Sequence, residues 1–98
     1  MTPRFLVEPD AAADLDDAFT WYEHRVPGLG SEFTRAVRVT FAAIERHPET
    51  YVRAQGEIRR AHVRRFPYAV YFVVEPDEIA IIAVAHTRRH PRRWQSRR

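Results

Sequence analysis

The chain has 98 residues, 45% of them hydrophobic, which describes one folded domain with a modest core and excludes wholesale disorder. It has no cysteine, which excludes disulfides and thiolate metal sites, and neither a signal-peptide layout nor an apolar run near the ~20 residues of a membrane span, so a soluble cytoplasmic domain is expected. The net charge of +3 is unevenly spread: residues 1–50 hold 9 acids and 5 arginines, residues 51–98 hold 4 acids and 11 arginines, and a basic half of this kind attracts phosphates or an acidic protein segment.

Arg4-Phe5-Leu6-Val7 reads as a short first strand, closed by Pro9. Asp10 is placed to cap a helix in which Leu15, Ala18, Phe19, Tyr22 and Val26 form the apolar stripe, with Asp14, Asp17 and Glu23 off it. Pro27-Gly28-Leu29-Gly30 breaks that helix, and Ser31 is placed to cap a second one. Phe33, Val37, Thr40, Phe41 and Ile44 line its buried side, and Pro48 follows its end. So short a connection predicts an antiparallel helical hairpin. From Ile58 the period changes to that of strands, over Ile58–Arg65, Tyr68–Val74 and Ile79–His86. Glu75-Pro76-Asp77-Glu78 is a tight link, so the last two strands pair as a hairpin, and Ile79–His86, apolar on both faces, belongs at the centre of the sheet. The expected fold is α+β: an N-terminal strand and helical hairpin packed on a small antiparallel sheet, in the order β-α-α-β-β-β. Residues 1–98 form one domain with a basic tail over 87–98.

Alternation along the first of these strands puts Arg60, His62 and Arg64 on one face, where three basic groups in a row call for an anionic neighbour. Arg88, Arg89, Arg92 and Arg93 follow the last strand, interleaved with His86, His90 and Trp94. Such a mixture suits nucleic acid, and equally an acidic protein segment through bidentate arginine–carboxylate pairs. His86, at the rim of a buried strand, is the histidine best placed for acid–base work; His24 and His47 are explained by helix C-termini. His86 and His90 are four apart, but Pro91 spoils a shared helical face, so no metal or other cofactor is expected. Glu57, the one carboxylate entering the basic strand, reads as an ion-pair partner, and Trp21, off the helical stripe, as a weak sign of a contact surface.

Taken in order, Ala13-Asp14-Leu15, Trp21-Tyr22-Glu23, Pro27-Gly28-Leu29-Gly30 before Phe33, Pro48 with Tyr51, Arg59, the run Arg65 to Tyr71, and Ile79 to Trp94 with His86, Arg89 and Pro91 form a pattern that resembles the RelE/ParE superfamily of toxins from bacterial type II toxin–antitoxin pairs. The resemblance covers nearly the whole chain and implies the same order of elements. It also implies a cognate antitoxin, a short acidic segment of which folds onto the toxin in a hetero-oligomer. RelE-like members cleave ribosome-bound mRNA; ParE-like members, also described as plasmid stabilisation proteins, poison DNA gyrase. Nuclease branches place an arginine three residues before the tyrosine matching Tyr71, and here that position is Tyr68. A ParE-like toxin that inhibits growth by binding gyrase is therefore the leading expectation. Its contact surface for antitoxin or target is expected over Arg60, His62, Arg64, His86, Arg88, Arg89, Arg92, Arg93 and Trp94. The alternatives are an mRNA endoribonuclease using His86, Arg59, Arg65 and Arg89, and a degenerate member that only binds antitoxin or DNA.

Overall fold

The apolar run at Glu78–His86 becomes an inner strand of the sheet in the computed structural model, which describes residues 2–98. The elements are β1 (Arg4–Val7), α1 (Pro9–Arg25), α2 (Leu29–Arg46), β2 (Arg53–Gln55), β3 (Ile58–His62), β4 (Tyr68–Glu75) and β5 (Glu78–His86), with short 3₁₀ turns at Pro48–Thr50 and Gln95–Arg97. The sheet order is β1-β5-β4-β3-β2. All neighbours pair antiparallel except β1, which lies parallel to β5, so the sheet is mixed. The three-residue strand β2 is an addition to the expected order; Arg-Ala-Gln carries no apolar alternation that would announce it.

Both helix starts differ from the expected caps. Helix α1 begins at Pro9 after Glu8, because proline at the first helical position needs no N–H partner and has its φ already set; Asp10 lies in the first turn. Helix α2 begins at Leu29, after Gly28 with φ of 90°, a left-handed value that favours glycine. Its free N–H groups are met by Glu23 of α1, whose carboxylate accepts from Gly28 N at 2.8 Å and Gly30 N at 2.9 Å. Ser31 is one turn too late to cap. Gly30 is where the two helices touch: a Cβ there would stand 2.8 Å from the carbonyl oxygen of Phe19.

Both helices cover one face of the sheet. Phe33, Val37 and Ile44 of α2 and Ala11, Ala18 and Tyr22 of α1 pack against Ala61, Val63, Val70, Phe72, Ile79, Ile81 and Val84. Tyr22, Phe33, Phe66 and Tyr68 form an aromatic knot with centroid separations of 4.8 to 5.9 Å, each contact worth about 0.5–1.5 kcal/mol beyond its buried area. The stripe of α1 is turned relative to the sequence reading: Asp14 is buried, while Phe19 and Val26 are exposed.

Strand β3 stops at His62, three residues short of the expected Arg65. Arg65 has a φ of 67°, the left-handed region, so the chain turns there and carries Arg64 out of the strand. Strand β5 contains a bulge: Tyr71 faces Ala83 while Phe72 faces Ile81, leaving Ile82 as the extra residue. The bulge falls where β1 ends, since Val7 is opposite Ile81. Beyond that point β5 has no strand on that side among the described residues.

Among the described residues no helix is long and apolar enough to cross a membrane.

Candidate functional site

The unpaired part of the β5 edge organises the basic tail. Asp14, only 5% exposed, reaches the edge from α1, and its Oδ2 accepts the N–H of Val84 at 3.0 Å. Arg97 reaches it from the tail and donates to the carbonyl of Ile82 at 2.9 Å. The two side chains also bind each other, with Arg97 Nη1 2.6 Å from Asp14 Oδ2 and Nη2 3.1 Å from Oδ1. Together they satisfy a donor and an acceptor that a neighbouring strand would otherwise take. Arg93 adds a second cation at 3.1 Å from Asp14 Oδ1. Bonding to Asp14 holds Arg97 above the usual arginine range despite its burial. Arg98 pairs with Glu8 at 2.7 Å.

Trp94 closes the other face of the sheet. Its ring stacks on Tyr71 with centroids 4.5 Å apart and planes 9° from parallel, and its indole N–H donates to the carbonyl of Pro91. Small residues on β4 and β5, Ala69, Ala83 and Ala85, leave the space it fills. The tail is thus folded onto the domain.

At the rim of the helix-covered face lies a second cluster. His86 is opposite Tyr68, with ring centroids 5.2 Å apart. Arg89 donates to the Tyr68 hydroxyl at 3.1 Å and stands 4.1 Å over the Trp21 ring. Arg25 is 3.9 Å from the same ring centre, so the two guanidiniums sandwich the indole. Trp21, Tyr68 and Arg89 border a cavity of about 270 Å³ that Asp14, Asp17, His90 and Arg93 complete. Tyr22 beside it has its pKa raised by burial and then by Tyr68, with Arg89 opposing. His86 Nδ1 accepts the backbone N–H groups of Arg88 at 3.1 Å and Arg89 at 3.0 Å. Its pKa is lowered by burial and, after that, by the positive charge of Arg89, His90 and Arg88. The neutral ring therefore has its proton on Nε2, and its lone-pair nitrogen is already occupied.

The expected nuclease set does not converge. Arg59 is spent on the carbonyls of Tyr51 at 2.7 Å and Glu49 at 3.3 Å. It is opposite Phe72 of β4, four residues and about 13 Å along the strand from the Tyr68–His86 pair. Arg65 points from the β3–β4 turn toward Glu32, 3.8 Å away. His86 and Arg89 alone of the four are neighbours.

The expected contact set is likewise divided. Arg60 and His62 lie on the helix-free face, Arg64 in the turn, and His86 on the helix-covered face, because register pairs Arg60 with Tyr71 and His62 with Ala69, whereas Tyr68 pairs with His86. Arg88, His90 and Arg92 are exposed. Trp94 is only 5% exposed, so it is a core residue and offers no open contact surface; the same applies in part to Arg93, which Asp14 holds. Trp21 is half-buried between its two arginines, and Glu57 pairs with Arg53 at 3.8 Å.

Sequence reasoning missed Asp14 as the hub of the tail and Val52 as an exposed apolar neighbour of Arg60. The recurrence of Ala11, Asp14, Ala18 and Tyr22 at helical spacing was the available signal for Asp14.

The chain was also compared with known proteins. The family described as ParE toxin of type II toxin–antitoxin system, parDE, matches residues 5–91. No curated protein matches. Among solved structures the chain is similar to a chain of the chromosomal ParDE TA system from P. aeruginosa, with a TM-score of 0.78 at 18% identity, over 87% of this chain and 96% of that one.

Proposed function

The chain belongs to the ParE toxin family of type II toxin–antitoxin systems, and from that premise we propose that it arrests growth by binding its target, with no catalytic step of its own. The target is DNA gyrase, and a cognate antitoxin neutralises the toxin by covering its basic surfaces. The observation that carries the binding reading is the state of His86. A general base for RNA cleavage must offer a free lone pair within reach of a 2′-hydroxyl. Nδ1 of His86 instead accepts two backbone N–H groups, and burial with the flanking cations lowers its pKa, which disfavours the protonated form an acid would need. Tyr68 stands between His86 and Arg89 as a hydroxyl bound to the arginine, so this corner is occupied by its own contacts.

Expression of the toxin with and without the antitoxin encoded beside it tests the proposal, with parallel mapping of mRNA ends and of gyrase-linked DNA breaks. Gyrase-linked breaks over intact mRNA, suppressed by the antitoxin, are the expected result. Cut mRNA that disappears in His86→Ala and Arg89→Ala variants would overturn it in favour of an endoribonuclease.

A further inference from the structure

Arg93, Arg97 and Arg98 of the tail find carboxylates within the molecule, whereas Arg60 has none among the described residues and is also sealed from water at Nε. Its Nε is buried and has no hydrogen-bond partner, and among the described residues the ion pairs leave it out. A buried donor of this kind has lost its water without gaining a protein acceptor, which is uncommon enough to need a cause. Arg60 lies on the helix-free face opposite Tyr71. On its other side Arg60 N donates to the carbonyl of Val52 at 3.1 Å, and the pairing of Arg53 with Arg59 puts Val52 on the same face as Arg60. Val52 is 62% exposed, second among the described large apolar side chains after Val39. His62, exposed, follows two residues along β3 on that face. An open aliphatic side chain, an unsatisfied guanidinium and an imidazole therefore share one strip.

We propose that this strip receives an acidic segment of the antitoxin, with a carboxylate on Arg60 and an aliphatic side chain from the same segment on Val52. The assignment rests on the toxin–antitoxin reading above. Arginine binds a carboxylate through Nε and one Nη side by side, and a small rotation of the half-buried side chain gives Nε the acceptor that solvent cannot supply. Arg93, Arg97 and Arg98 already pair with carboxylates within the molecule, through their terminal Nη atoms. A nucleic-acid strand fits the strip less well. Tyr71 and Trp94, 3% and 5% exposed, have no free face for a base, which leaves the His62 imidazole alone to stack on, and a phosphate on Arg60 would leave Val52 uncovered.

The test is the affinity of the full-length toxin for the antitoxin encoded beside it, by calorimetry, for wild type, Arg60→Gln, Val52→Asp and, as a control on the outer face of α2, Arg46→Gln. Arg60→Gln is expected to weaken binding by about 30-fold or more, Val52→Asp to weaken it as well, and Arg46→Gln to leave it unchanged. Thermal melts of the variants run alongside, and Arg60→Gln is expected to melt no lower than wild type because it removes an unsatisfied charge. Wild-type affinity in Arg60→Gln overturns the proposal alone. Loss of single-stranded oligonucleotide binding in Arg60→Gln with antitoxin binding intact overturns it in favour of a nucleic-acid surface. Failure of the wild-type toxin to bind the antitoxin removes the toxin–antitoxin reading, and this proposal with it.

Discussion

Replacing Asp14 with alanine removes four hydrogen bonds from one buried carboxylate: those from Val84 N, Arg93, and both terminal nitrogens of Arg97. Val84 N–H then faces the interior without an acceptor, which costs about 1–3 kcal/mol. Arg97 and Arg93, with side chains 17% and 27% exposed, lose their counter-charge; removal of one partner from a buried pair costs about 3–5 kcal/mol. Arg97 keeps its bond to the Ile82 carbonyl and a distant Asp10, so the charge loss belongs at the low end. A total of about 4 kcal/mol follows, and for a domain of this size that lowers Tm by roughly 15–30 °C. Asp14→Asn keeps an acceptor for Val84 and should lose about half as much. Urea and thermal unfolding of Asp14→Ala, Asp14→Asn, Arg97→Gln and the Asp14→Asn/Arg97→Gln double variant measure both the cost and the coupling. An Asp14→Ala variant within about 1 kcal/mol of wild type, or additive single changes, would refute the edge-pairing account.

Three further outcomes are expected. Gly30→Ala should cost about 1–3 kcal/mol in urea unfolding, because the new Cβ meets the Phe19 backbone oxygen at 2.8 Å, an atom that cannot swing aside. Trp94→Ala should cost about 3–5 kcal/mol and remove the near-ultraviolet dichroism of the Tyr71–Trp94 stack; a signal that survives would mean the stack does not form. The folded pKa of His86 is lowered, so as pH falls the unfolded chain takes up its proton first. Its stabilisation is complete above the ordinary histidine range and is lost on acidification through the folded pKa. The fall in Tm from pH 8 to pH 5 should therefore be steeper in wild type than in His86→Asn, and equal slopes would mean that burial and the flanking cations do not depress the His86 pKa.

Wherever local pattern decides the structure, the sequence was sufficient. The run Ile79–Val84 could be nothing but a buried strand, Pro27 to Gly30 had to break the helices, and Phe33, Val37 and Ile44 marked the core face of α2. Legibility ends where a residue's partner is remote. Asp14 looked like a solvated charge because nothing near it in sequence reveals Val84 and Arg97, 70 and 83 residues away. The tail looked like a free basic end because its composition is basic; its counter-charges lie on α1, its ring partner on β4. The parallel placement of β1 is set by the sheet order, and the end of β3 by a left-handed Arg65, a conformation that glycine, asparagine and aspartate advertise but arginine does not. For the same reason the candidate residues could be named but not assembled: alternation placed Arg60 beside His62 correctly, while the split from His86 depends on strand register.

The join between Asp14 and Arg97 also bears on the order in which the molecule can be completed. Helix α1 packs against α2 locally, whereas the Asp14 it sets on β5 meets its counter-charge only in a residue 83 positions later. Contacts of such long separation close the largest loops and come late, at a cost in folding rate. A chain cut at Pro91 would still possess every strand and both helices, yet would present a raw length of β5 and a carboxylate with no cation to meet it. Such a fragment is expected to be prone to pairing with other strand edges. The arginines that look expendable are thus the ones that finish this strand edge.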